Sequence, residues 1–137
     1  MRTLKMLYML SKMLDEANEN INTRSVNMSV WNCQKKGAMI EYNFLLIQDG
    51  PLSNEILADV SFLEMLGIIN IHDFNLEFNG TENTERLIKE SKDSFPIDVE
   101  TIDNVVKEMK EKDILNNEDK ILNYWKDELI ELGISIK

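Results

Sequence analysis

The chain has one cysteine, one histidine, two prolines and five glycines in 137 residues, and each scarcity removes a class of explanation. A single cysteine, Cys33, excludes an internal disulfide and fits a reducing compartment. With His72 as the only histidine, a Cys/His zinc site cannot be completed. A Ser-His-Asp or Cys-His nucleophilic system would have to recruit His72. That residue closes an apolar run and reads as a strand-end surface residue, while Cys33 reads as a small, partly buried one. So few Pro and Gly argue against long disordered linkers. Long hydrophobic runs are missing too: Phe44–Ile47 is far shorter than the roughly 20 residues that span a bilayer. The N-terminus, MRTLKMLYML, places bases ahead of an apolar stretch. Lys12 and Asp15-Glu16 then interrupt it and no small-residue cleavage site follows, so a cytoplasmic helix is expected rather than a signal peptide.

Catalytic and cofactor signatures are equally scarce. There is no Gly-x-x-x-x-Gly-Lys-Ser/Thr loop and no Gly-x-Gly-x-x-Gly, so nucleotide binding has no local support. Asp113–Asp119 is oxygen-rich but lacks the alternating ligands and central glycine of an EF-hand loop. Acid pairs such as Glu108/Glu111 and Asp127/Glu131 fall three or four apart, without a histidine to join them. With Lys107, Lys110, Lys112 and Lys126 nearby, they read as an ion-paired helix face. Neither an enzyme, a cofactor nor a metal is expected.

Hydrophobic residues make up 43% of the chain, enough for one compact domain with a core. The formal charge is −10 and unevenly spread. Residues 1–72 hold six Lys/Arg against eight Asp/Glu, or −2, and residues 73–137 hold nine against seventeen, or −8. Bulk charge therefore disfavours a polyanion and favours a basic protein partner or a plainly solvated surface.

Helical spacing of Leu4, Leu7, Leu10 and Leu14 predicts a first helix over Thr3 to about Ala17. Met6, Met9 and Met13 form a second stripe on an adjoining face, which suits either core packing or a homodimer face. Residues 18–29, polar and Asn-rich, read as a connection. Helix is expected near 30–38. Gly50-Pro51 reads as turn chemistry, followed by Ser53 as an N-cap and Glu55 in the first turn of a helix. That helix carries Ile56, Leu57, Val60, Leu63 and Leu66 at 3.6-residue spacing, and Gly67 ends it. Ile68–Ile71 and Leu76–Phe78 are expected to pair as a hairpin around Asp73–Asn75. Thr81 caps a helix containing Leu87 and Ile88. Ser94–Pro96 breaks the chain, Asp98 caps the next helix, and Asn116 or Asn117 starts a last one that Gly133 ends. The expected fold is mainly α with a small β-hairpin. A winged-helix-like core covers about residues 3–80, and two C-terminal helices, packed as an antiparallel hairpin within 81–134, cover it.

Tyr42-Asn43-Phe44, Asp49-Gly50-Pro51-Leu52-Ser53, Leu57, Leu63 and Leu66-Gly67-Ile68-Ile69 together form an ordered pattern. It resembles the YwgA-like family and the related Panacea, or SocA-like, domain, and LKMLYML is similar to the start of those proteins. The resemblance covers about residues 4–72, with Asp49 where an aromatic usually precedes Gly-Pro. It implies a helical, winged-helix-related bacterial or phage protein that binds other proteins, as antitoxins and proteolytic adaptors do.

Two functional expectations follow. The first is a non-catalytic protein-binding module whose acids Glu108, Glu111, Asp127 and Glu131 meet a basic partner. The alternative is a winged-helix DNA-binding regulator using Arg24, Lys35, Lys36 and Asn54. Against the alternative, the helix that would read bases carries Glu55, Asp59 and Glu64 and no Lys or Arg.

Overall fold

In the computed structural model, which describes residues 2–134, six helices are combined with two small antiparallel sheets. Helix α1 (Arg2–Ala17) is the central element. Met6, Leu7, Tyr8, Met9, Leu10 and Met13 are all buried, because α3, α4 and α5 pack around it. Both apolar stripes thus serve the core. Met6, Met9 and Met13 are 0% exposed, which corrects the reading of those residues as a dimer face.

The polar segment 18–29 is not a connection. It holds β1 (Ile21–Asn22) and the start of α2 (Thr23–Lys35). Asn22 caps α2 by accepting from the Ser25 amide at 2.8 Å. Ser25 Oγ donates to Asn22 O, Asn27 Nδ2 to Thr23 O, and Ser29 Oγ to Ser25 O, each at 2.8 Å. Side chains that bond back to their own helix can be buried without an unpaired donor. Ser25, Asn27 and Ser29 are accordingly buried beside Val26, Met28, Val30 and Cys33, and buried Asn32 accepts from the Tyr124 hydroxyl at 3.2 Å.

Strands β2 (Leu45–Ile47) and β3 (Gly50–Leu52) form a two-stranded ribbon that turns at Gln48-Asp49. Gly50 and Pro51 therefore lie in a strand rather than in the turn itself. Gly50 has φ +148°, a conformation that favours glycine. Strands β4 (Ile69–His72) and β5 (Asn75–Phe78) form the expected hairpin, with Ile71 opposite Leu76. β1 adds to the other edge of β5, giving the order β1-β5-β4. The small hairpin of the sequence reading is thus a three-stranded sheet plus a separate ribbon.

Between them, α3 (Asn54–Met65) runs from Ser53, whose hydroxyl accepts from the Ile56 amide, to Gly67 at φ +76°. Three helices follow the sheet, the one expected after Thr81 and the two C-terminal ones. α4 (Glu82–Ser94) is capped by Thr81, α5 (Pro96–Glu111) begins after a bend at Phe95, and α6 (Glu118–Glu131) is capped by Asn117. Asp98 does not cap α5. It lies within the first turn, buried, where its carboxylate meets Lys5 Nζ at 2.6 Å and accepts from the Met39 amide at 3.2 Å. Nor do α5 and α6 pair mainly with each other. α5 lies on α1 and α2, while α6 joins α2 and β2 through Trp125. That ring is fully buried, stands edge-on to Trp31 at 5.5 Å, and donates its Nε1–H to Ile47 O at 2.7 Å.

The β4–β5 turn puts two non-glycine residues at positive φ, Asp73 at 51° and Phe74 at 67°. Two-residue hairpin turns of this kind favour glycine, since a Cβ there costs about 1–2 kcal/mol. Phe74 is 75% exposed, so its ring returns little of that cost. Phe74→Gly is expected to stabilise the chain by about 0.5–1 kcal/mol after the added chain entropy of glycine. Urea denaturation should show a higher midpoint at unchanged slope.

Candidate functional site

The inner side of α3 is filled by Ile56, Val60 and Leu63. Its acids lie to the sides and are engaged. Arg2 reaches from α1 to Glu55 Oε2 and Asp59 Oδ2, both at 2.9 Å. Tyr42 donates to Asp59 Oδ2 at 2.6 Å, and the Arg2 guanidinium stands 4.6 Å from the Tyr42 ring centre. Burial, then the Asp59 carboxylate, pushes the Tyr42 phenol above its ordinary range. Glu55 is held below the usual carboxylate range by the Asn43 amide and by Arg2. On the opposite side of α3, Glu64 accepts from the Ile71 amide at 3.0 Å. None of the three acids occupies the outward face, which corrects the expectation that they would confront a ligand there.

That outward face is uncharged. Asn54, Leu57, Ala58, Ser61, Phe62 and Met65 are all exposed on it. Leu57 is 57% exposed, Phe62 47%, Met65 80% and the adjoining Leu66 56%. Leu57 and Leu66 were expected inside. Helical spacing alone does not separate them from Ile56, Val60 and Leu63, because α3 is apolar nearly all round. Just before it in the chain, Leu45, Leu46 and Ile47 of β2 are exposed as well.

The acids proposed from sequence fall elsewhere. Glu108, Asp127 and Glu131 line a cleft of about 430 Å³ between α2, α5 and α6, whereas Glu111 does not. Lysines from the same walls share the cleft. Lys35 Nζ sits 2.5 and 2.7 Å from the Glu128 oxygens. Glu108 lies 2.8 Å from Lys112 and 3.4 Å from Lys36. Lys112, with Lys36, holds Glu108 below the usual carboxylate range. Burial, then the Glu128 and Glu108 charges, pushes the neighbouring Tyr124 phenol up to about 12. Lys35, Lys36 and Lys112 thus neutralise part of the cleft, while Asp127 and Glu131 make no ion pair among the described residues. Sequence reasoning overlooked Glu128, which is buried on α6, because only the fold brings Lys35 to it.

The same pairs reduce the basic group expected for DNA. Lys35 and Lys36 are bound to Glu128 and Glu108. Arg24 makes no ion pair among the described residues and lies beside Gly50, and Asn54 is exposed at the start of α3. Cys33 is fully buried rather than partly so, and burial pushes its thiol up to about 12. His72 is exposed at the end of β4, as expected. Among the described residues, no group of three His, Cys, Asp or Glu side chains is placed to hold a metal ion, and no helix is long and apolar enough to cross a membrane.

No known family, curated protein or solved structure matches the chain.

The Lys5–Asp98 pair ties α1 to the start of α5 and gives a pH-dependent test. Burial opposes ionisation of Asp98, but Lys5 and the Met39 amide outweigh it, and its carboxyl is held below the ordinary value. A group depressed on folding adds stability above its unfolded pKa, about 3.9, and loses it as pH falls through the lower folded value. Asp98→Asn should cost about 1–3 kcal/mol at pH 7. The gap to wild type should close as pH falls below about 4, measured by denaturation across pH.

Proposed function

We propose that the chain is a non-catalytic protein-binding module that works through the outward face of α3, in the manner of an antitoxin, an adaptor or a phage-type inhibitor. The observation that carries this reading is the uncharged, largely apolar row Leu57, Phe62, Met65 and Leu66, left open on a helix whose other side is already packed. Leaving such side chains in water forgoes about 1.5–3 kcal/mol each, and a contiguous apolar patch rimmed by polar groups is typical of a docking surface. The resemblance to Panacea-like proteins points the same way.

A winged-helix-like core is part of the proposal. The order helix, strand, helix, helix, strand, strand along α1, β1, α2, α3, β4 and β5, with β5 central in the sheet, supports it. The β2–β3 ribbon would be an insertion between the second and third helices. In that arrangement α3 takes the place of the helix that reads a DNA major groove. Asn54 at its exposed start favours the DNA-binding alternative, and so does Arg24, which has no ion pair among the described residues. Phosphate-driven affinity draws on several Lys or Arg, typically about six to ten contacts, and α3 offers none. Protein contact is the better account.

Phe62→Ser combined with Met65→Ser should leave folding stability within about 0.5–1 kcal/mol, since both side chains are exposed. The wild-type chain should recover a stoichiometric partner from a native lysate, and the double variant should not. Equal recovery by both proteins would remove α3 from the proposal. Salt-sensitive binding of genomic fragments, lost on Arg24→Glu, would establish the DNA alternative instead.

A further inference from the structure

Resting on that reading, we propose that the partner element seated on α3 is an amphipathic helix whose apolar stripe is flanked by Lys or Arg. The exposed positions recur at helical spacing over three turns, which gives a straight seam along α3 rather than a pocket. Ala58 and Ser61 form a low centre to that seam, with Leu57, Phe62 and Met65 standing around it. Small residues between large ones let a second helix approach to about 8–10 Å and seat its own ridge.

Charge selects the kind of helix. At 100° per residue, Glu55 and Asp59 fall on one flank of the seam and Glu64 on the other. Arg2 sets one positive charge against the two carboxylates of its flank, which stays net negative, and no cation of α3 offsets Glu64. A helix with bases beside its apolar stripe therefore meets opposite charge on both sides. A second copy of this chain would bring acids against acids, each copy carrying a net −10. An anionic bilayer would be repelled for the same reason. A partner strand would find no open backbone edge on a helix.

The test uses two labelled synthetic helices of about 18 residues, or five turns, each with a Leu stripe, one flanked by Lys and one by Glu. Fluorescence anisotropy against the whole chain should show binding of the Lys-flanked peptide alone. Phe62→Ser with Met65→Ser should weaken it about tenfold or more, and Glu64→Lys should do the same. Glu90→Lys, an exposed acid on α4, should change it less than about twofold if bulk charge is not the cause. Equal binding of the Glu-flanked peptide would overturn the charge selection while sparing protein docking at α3. Equal weakening by Glu90→Lys would also overturn the inference, as would binding to phosphatidylcholine vesicles or a dimer abolished by Phe62→Ser. If neither peptide binds but a lysate partner is still lost on changing Phe62 and Met65, the basic-helix partner fails and the docking face stands. Loss of that lysate result as well would overturn the functional reading itself.

Discussion

Arg2, in the first turn of α1, draws Glu55 and Asp59 to one side of α3, and the outward face of that helix follows from this contact and from the core beneath it. These ion pairs are partly exposed and are worth about 0–1 kcal/mol each. They are too weak to force apolar residues into water. Their role is to fix rotation: with Ile56, Val60 and Leu63 buried and both flanks held by polar contacts, the remaining side can only be Leu57, Ala58, Phe62 and Met65. The sequence of α3 supplies more apolar side chains than one inner face can take. The surplus has a defined location instead of being spread over the molecule.

The central place of α1 explains why the surplus is not hidden internally. α1 is covered by three other helices, and its methionines fill the spaces among them. α5 and α6 are committed to α2 and its neighbours. Among the described residues, no element is left to lie across α3. The acidic C-terminal half, which looked like a steering surface, is partly neutralised by lysines from α2. Net charge describes the half-chain correctly and misplaces its consequence.

Much of the fold was legible where a residue acts through its own backbone. Ser53, Thr81 and Asn117 as caps, and Gly67 and Gly133 as helix ends, need only local geometry. Three things were hidden for physical reasons. The start of α2 looked like a connection because its buried Ser and Asn side chains find partners within the helix or, for Asn27, also at the Ser53 amide, so polarity there does not mean exposure. Asp98 looked like a cap because its true partners, Lys5 and the Met39 amide, are remote in sequence. The candidate site was obscured by its own composition. A helix apolar on both sides gives no signal of which side is covered, and Glu55, Asp59 and Glu64 suggested a charged face where the fold sets them on its flanks.

The two tryptophans of the chain, Trp31 and Trp125, stand edge to face at one joint, where α6 docks on α2. Phe44 packs on the same Trp31 ring. The intrinsic emission and the near-ultraviolet dichroism of the chain are consequently dominated by one small region. A loosened α6 would be recorded optically as though the whole molecule had changed. Events on α3, which carries no tryptophan, would pass with little native signal and call for an added label.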